Sequence, residues 1–270
     1  MVRLTKNLYV ETGMIACNVG ILTTKAGVVM IDTPMRPTDA VKWRDQAAAK
    51  GEIRYLINTE EHPDHWLTSH FFPGLLITHE QTREKLAKMP RDMAMEIVSH
   101  LDPEGLPLME GYKVRLADAT FTEEMSLHVG GHTIRLFHAP GHSTGGIAVY
   151  LPEERAVFTT DIVFHKKKSW LQEADPASWL ASLAKLSALD VDVVVPGHGD
   201  VCTKEYFREQ ADIIEKWQKA VRSAVKEGLS VEQAETKIAS PDPHPKQQGT
   251  PMTESELNKA IIARLYQLYA

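Results

Sequence analysis

Cysteine is nearly missing from this chain of 270 residues, which holds only Cys17 and Cys202. The pair lies far apart and has no zinc-type spacing. That excludes a disulfide framework and a thiolate zinc knuckle, and two buried, inert thiols in a reducing compartment are expected. Long apolar runs are also missing, and nothing approaches the roughly 20 residues that span a bilayer. After Met1-Val2-Arg3-Leu4-Thr5-Lys6, the residues Asn7, Tyr9, Glu11 and Thr12 interrupt any apolar core of a secretion signal. The expectation is a cytoplasmic protein with no membrane association. Positive charge is in deficit, with 30 Lys and Arg against 36 Asp and Glu, which argues against nucleic acid as a partner. A glycine-rich phosphate loop and an aromatic-basic surface are absent as well. What is present, 43% hydrophobic and 24% charged residues, suits one large domain or one domain with a C-terminal elaboration.

The order of β-prone runs and helical stretches places the chain in the α/β class. Leu8-Tyr9-Val10, Cys17 to Thr24 and Gly27 to Ile31 read as strands, with Ala26-Gly27 as a hairpin turn. Thr38 to Lys50 reads as a helix with Val41, Trp43, Ala47 and Ala48 on its apolar side and Gly51 past its end. Ile53 to Asn58 is a buried strand, Phe71 to Thr78 a turn and strand, and Glu80 to Lys88 and Asp92 to His100 are helical around Pro90. Asp102 to Leu116, rich in Pro, Gly and charge, is expected to be a long connection or lid. A second β-region follows at 125–129, 133–138, 147–151 and 156–160. Asp175-Pro176 opens a helix, and Val191 to Val195 is a short strand. The last quarter is helical: Thr203 to Glu227, a segment after the Ser230-Gln233 capping box, a Pro-rich linker from Ser240 to Pro251, and a helix after the Thr253-Glu256 box. These helices either pack on the core or pair with a second copy in a homodimer.

Metal-competent side chains gather where strands end. Thr59-Glu60-Glu61-His62-Pro63-Asp64-His65 leaves the strand that ends at Asn58, and imidazole with carboxylate suits zinc, iron or manganese. Alternation along an extended loop would send Glu60, His62 and Asp64 one way and His65 another. A polar helix N-terminus is the plainer reading of the same residues. Downstream, His142 sits in Pro140-Gly141-His142-Ser143-Thr144-Gly145, Asp161 ends the strand that begins at Ala156, and His198 sits in Gly197-His198-Gly199. Asp32, at the end of an earlier strand, either caps its loop or orients a ligand.

The order of these motifs resembles the metallo-β-lactamase superfamily, whose members carry H-x-H-x-D-H, a His in a P-G-H-[ST]-x-G turn, an Asp, and a His in a G-H-G turn. The resemblance runs from Asn7 to about Cys202. It implies a four-layer αββα sandwich with metals at one edge between two sheets. Residues 1–202 would be the catalytic domain and 203–270 a helical extension packed on it. By the same resemblance His62 and His142 belong to a first metal, Asp64, His65 and His198 to a second, and Asp161 bridges both. Two zinc ions are expected, with manganese or iron as alternatives.

The departure is Glu60, where the family has His. Glu60 ligates the first metal, or points away and leaves that site weak, or the chain holds a single ion at Asp64, His65 and His198. A buried unpaired carboxylate would be costly, which favours ligation. After His65, Trp66 replaces a glycine of many relatives and either walls the pocket or packs in the core; His70 is either an outer partner of the site or packed in the core. Lys166 and Lys167, close after Asp161, either bind a substrate carboxylate or phosphate or form a solvated basic turn. The implied activity is hydrolysis of a small-molecule ester, lactone, amide or β-lactam-like bond by a metal-held hydroxide, which Asp64 orients as the catalytic carboxylate. Phosphoester hydrolysis on the same site, and a fold retained for binding without turnover, are the alternatives.

Overall fold

Alternation in two adjacent strands explains how the layers form. The computed structural model describes residues 1–250 and 252–270; Pro251, the last residue of the expected Pro-rich linker, lies outside the described residues. The strands β1 (Val2–Arg3), β2 (Leu8–Glu11), β3 (Val19–Thr24), β4 (Gly27–Ile31), β5 (Ile53–Ile57), β6 (Leu75–His79) and β7 (Ala119–Phe121) lie side by side in chain order. Pairing is antiparallel as far as β4 and parallel beyond it. Val19, Ile21, Val28 and Met30 face outward and bury Ala40, Trp43 and Ala47 of helix α1 (Pro37–Ala48). Their neighbours Leu22, Val29 and Ile31 face inward. Both faces of these strands are therefore apolar, as a strand covered on two sides requires.

The second sheet holds β8 (Glu124–Val129), β9 (His132–His138), β10 (Ile147–Leu151) and β11 (Ala156–Phe158), with β12 (Phe164–His165) outside it and β13 (Val193–Val195) parallel to β11. In β10, Ile147, Val149 and Leu151 meet the first sheet, while Ala148 and Tyr150 turn to the helices behind. Those helices are α5 (Pro176–Ser187), α6 (Tyr206–Lys226), α7 (Val231–Lys237) and α8 (Glu254–Tyr269). Helix, sheet, sheet and helices make the four-layer αββα sandwich, with the C-terminal helices as an addition to the last layer.

The α8 stripe of Leu257, Ile261, Ile262 and Leu265 is fully buried against the same core as Trp179 and Trp217. Packing within the chain thus accounts for its apolar face. Both expected capping boxes, at Ser230 and at Thr253, are formed. No helix among the described residues is long and apolar enough to cross a membrane.

Residues 102–116 form the expected long connection, packed down rather than raised as a lid. Pro103–Met109 forms a 3-10 helix, and Met109 and Tyr112 bury against Leu67, Ala94 and Val98. The Arg115 guanidinium donates to the carbonyls of Phe72 and Gly74. Prolines and glycines here mark a tight, packed turn sequence that buttresses the loop after β5.

Candidate metal centre

The loop after β5 changes character midway. Glu60 and His62 lie on one side, with Glu60 Oε1 2.7 Å from His62 Nδ1, as alternation requires. Pro63 then occupies the first position of the short helix α2 (Pro63–Trp66), which its fixed φ favours. The extended-loop expectation therefore fails beyond His62. Helical geometry brings Asp64 and His65 to the same place, with Asp64 Oδ2 3.8 Å from His65 Nε2.

Glu61 turns the other way and stays out of the cluster. Its buried carboxylate accepts from Lys85 Nζ, from the amides of Thr144 at 3.1 Å and Gly145 at 3.0 Å, and from the hydroxyls of Thr144 and Thr82. It thereby ties the motif loop to the turn that carries His142. Burial alone would raise its pKa, but Lys85, His62 and the Thr144 amide outweigh that and lower it to about 2.

Later segments complete the cluster. Asp161 stands between the groups, with Oδ2 3.4 Å from His142 Nε2 and 3.2 Å from His198 Nε2, and Oδ1 3.4 Å from His65 Nε2. His198 Nε2 also lies 3.3 Å from Asp64 Oδ2. Glu60, His62 and His142 form one set whose ligand-type atoms all lie within 4.8 Å of one another, and Asp64, His65 and His198 form another. A third set, Glu60, His65 and Asp161, overlaps both. The Glu60 side chain thus turns into the cluster.

Hydrogen bonds behind the rings fix which nitrogen faces inward. His65 Nδ1 is 2.9 Å from Asp32 Oδ2, His142 Nδ1 donates to the Trp170 carbonyl at 2.8 Å, and His198 Nδ1 donates to the Ala16 carbonyl at 3.1 Å. Each leaves Nε2 for the centre, the arrangement by which outer partners set the tautomer of a metal-binding imidazole. Asp32 holds its own loop as well, accepting from the Thr59 amide at 2.7 Å. The turn bearing His198 is held by Asn18, which donates to the carbonyls of Pro196 and Gly199. Its Gly197 leaves room for Asp161: a Cβ there would sit 1.8 Å from Asp161 Oδ1.

The cluster is not satisfied by its own hydrogen bonds. Glu60 Oε2, His65 Nε2 and Asp161 Oδ1 are buried without a hydrogen-bond partner, although Glu60 Oε1 is only 3.3 Å from His65 Nε2. Each such orphan costs about 1–3 kcal/mol. Burial would lower the pKa of His198, but Asp161 and Asp64 raise it to about 10. The carboxylates of Glu60 and Asp64, with Glu173 at the rim, likewise outweigh burial at His62 and raise it. A concentrated negative charge therefore draws protons onto its imidazoles. Cations fit the same donors: three carboxylates and four imidazoles with unpartnered atoms turned inward.

The cluster opens into a cavity of about 660 Å³, lined in part by His62, Asp64, His142, Asp161 and His198. Glu60, fully buried, lies behind this surface, whereas the Asp64 side chain is 18% exposed. Trp66 is not among the lining residues described. It is 1% exposed and its indole donates to the Glu61 carbonyl, so it packs in the core. Lys166 and Lys167 also lie outside the lining; Lys166 is exposed, with its amide bonded to Tyr206 Oη. The chain turns there at a positive φ of 53° and carries the basic side chains off the cavity. His70 packs against Phe71 at a tilt and edge-on against Tyr112, away from the cluster. Cys17 is buried and donates to the Asp64 carbonyl, and Cys202 is a second free thiol.

Sequence reasoning missed part of the wall. Helix α4 (Arg91–Leu101, after α3 at Glu80–Leu86) and residues 247–250 of the Pro-rich segment line the cavity. Neither has a signal in sequence, because their relation to the cluster exists only once the layers are packed.

Comparisons with known proteins bear on the family and the fold. The family described as the Metallo-beta-lactamase superfamily matches residues 12–198, well over half the chain, and the chain belongs to that superfamily. Among curated relatives, a hydroxyacylglutathione hydrolase from Bartonella henselae is 32% identical over 105 residues, covering 39% of this chain and 40% of that protein. The alpha subunit of a 2,4-dinitroanisole O-demethylase from Nocardioides sp. is 23% identical over 215 residues, covering 76% of this chain and 60% of that protein. The chain thus spans roughly half the length of these curated relatives. A solved metallo-beta-lactamase family protein from Thermus thermophilus shares the fold with a TM-score of 0.72 at 18% identity, covering 98% of this chain and 94% of that one.

Proposed function

We propose that the protein is a metal-dependent hydrolase acting on a carbonyl-type bond of a small molecule, such as an ester, lactone or amide. The observation that carries this reading is the convergence of Glu60 Oε2, His65 Nε2 and Asp161 Oδ1, all buried and unpartnered, behind a cavity. His62, His142 and Glu60 would hold one ion, Asp64, His65 and His198 a second, and Asp161 would contact both. Zinc suits this set, and the extra carboxylate extends the range to manganese or iron. Such ions supply positive charge that polarises a carbonyl and acidifies water.

The chain's own residues do the rest. Asp64 has the most exposed carboxylate of the cluster and lines the cavity, so it is positioned to orient a water molecule and accept its proton. Asp32 and the carbonyls of Trp170 and Ala16 keep three imidazoles in the required tautomer. Phe164 and Trp170 in the wall exclude bulk water from the reacting bond. The relatives' names include a hydrolase, in keeping with this class.

A chromogenic panel of ester, lactone, β-lactam, thioester and phosphoester substrates tests the reading. Turnover of carbonyl substrates that is lost on Asp64→Asn is expected. Turnover of the phosphoester alone would replace it with phosphoester hydrolysis, and stoichiometric binding without product would replace it with a binding protein.

A further inference from the structure

The walls of the cavity carry a chemical preference of their own. Ile15, Met35, Ile97, Leu101, Phe164 and Trp170 give it an apolar body. Its polar additions away from the cluster are Gln247, Gln248, Thr250, His100 and Glu96. No lysine or arginine is found among the described residues that line it. Lys168, the one buried lysine of the basic turn, sends Nζ to Glu254 at 3.5 Å, and Lys85 is paired with Glu61.

This wall is built rather than incidental. Gln247 is 7% exposed; its Oε1 accepts from Trp170 Nε1 at 2.7 Å and its Nε2 donates to the Lys168 carbonyl at 2.9 Å. The Lys168 amide donates to the Pro245 carbonyl, and the Ser169 amide to Asp242 Oδ2, both at 2.8 Å. The strap from Asp242 to Thr250 is thereby stitched to the segment whose Trp170 carbonyl holds His142. At Gly249 the strap meets the opposite loop so closely that a Cβ would lie 2.7 Å from Ile15 Cγ2.

An anionic group entering this cavity would lose hydration with no lysine or arginine to replace it and with Glu96 as a like charge. Glu60, Asp64 and Asp161 would neutralise most of the charge that two divalent ions bring. A hydrocarbon or aromatic body, by contrast, gains free energy in proportion to the apolar area it buries. We infer that the cavity selects uncharged substrates with an apolar body lying along Phe164, Trp170 and Ile97, and disfavours anionic substrates of equal length. The inference rests on the hydrolase reading and names its substrate class.

Two matched pairs test it on the protein as purified with its metal. Calorimetric titration compares 2-octanone with 7-oxooctanoate, which differ by a terminal carboxylate and cannot be hydrolysed. The ketone is expected to bind at least about tenfold more tightly. Hydrolysis compares 4-nitrophenyl butyrate with 4-nitrophenyl hemisuccinate, with kcat/KM expected to favour the butyrate by a similar factor. Gln248→Lys, at an exposed position of the strap, should shrink both ratios while leaving the melting temperature unchanged. Equal or absent binding of the two ketones, or tighter binding of the oxo acid, overturns the inference. Hydrolysis that favours the hemisuccinate also overturns it while leaving the hydrolase reading intact. If no carbonyl substrate of the panel is cleaved but the ketone preference holds and responds to Gln248→Lys, the substrate-class inference stands and the hydrolase reading falls.

Discussion

Replacing Glu61 with Gln tests how the two halves of the centre are joined. The carboxylate, 4% exposed, collects Lys85 Nζ, two backbone amides and two hydroxyls from the far side of the site. Its pKa falls from 4.5 to about 2, which at about 1.4 kcal/mol per pH unit corresponds to on the order of 3 kcal/mol of stability. Lys85 is 40% exposed and solvent screens its share, so about 2 kcal/mol is expected from urea unfolding of metal-depleted protein at neutral pH. Because the folded pKa lies below the ordinary one, this stabilisation is fully present above pH 4.5 and fades as pH falls toward 2. The gap between wild type and Glu61→Gln should therefore narrow in the same range. Variants within about 0.5 kcal/mol of each other at neutral pH would refute the clamp.

Three further perturbations separate positioning from packing. Asp32→Asn should weaken metal binding about 10–100-fold in competition with a chelating dye, because it disturbs the partner of His65 Nδ1. Gly197→Ala should reduce metal content by displacing Asp161, whose Oδ1 the new methyl would overlap, while α1 and the first sheet keep their hydrogen-exchange protection. Trp43→Ala, in the fully buried layer between α1 and the first sheet, should cost about 3–5 kcal/mol in unfolding experiments and leave metal affinity per folded molecule unchanged.

Much of the fold was legible because its central strands are apolar on both faces and several helices open on capping side chains. Asp175 accepts from the amides of Ala177 and Ser178, and Ser230 and Thr253 close their boxes, as local chemistry dictates. The side chains now seen together were legible through their placement at strand ends. Their directions were not. Glu60 and Glu61 are adjacent and chemically alike, and only Lys85 and the Thr144 turn decide that Glu61 leaves the cluster. Lys166 and Lys167 stand near Asp161 in sequence, yet a positive φ at Lys166 carries the chain away. The Trp170–Gln247 contact joins residues far apart in sequence, and a Pro-rich segment has no periodicity to announce it as a wall. Residues 102–116 were legible as a connection but not as a packed one, since Pro and Gly mark tight turns as readily as loose loops.

Metal content per chain, measured by mass spectrometry on protein purified without chelator, tests the central claim most directly when wild type is set beside Glu60→Ala. About two divalent ions per wild-type chain are expected, with a clear loss in the variant, since Glu60 Oε1 lies 2.7 Å from His62 Nδ1 and its Oε2 has no other partner. Equal stoichiometry and affinity in the two proteins, or no retained metal in wild type, would contradict the account.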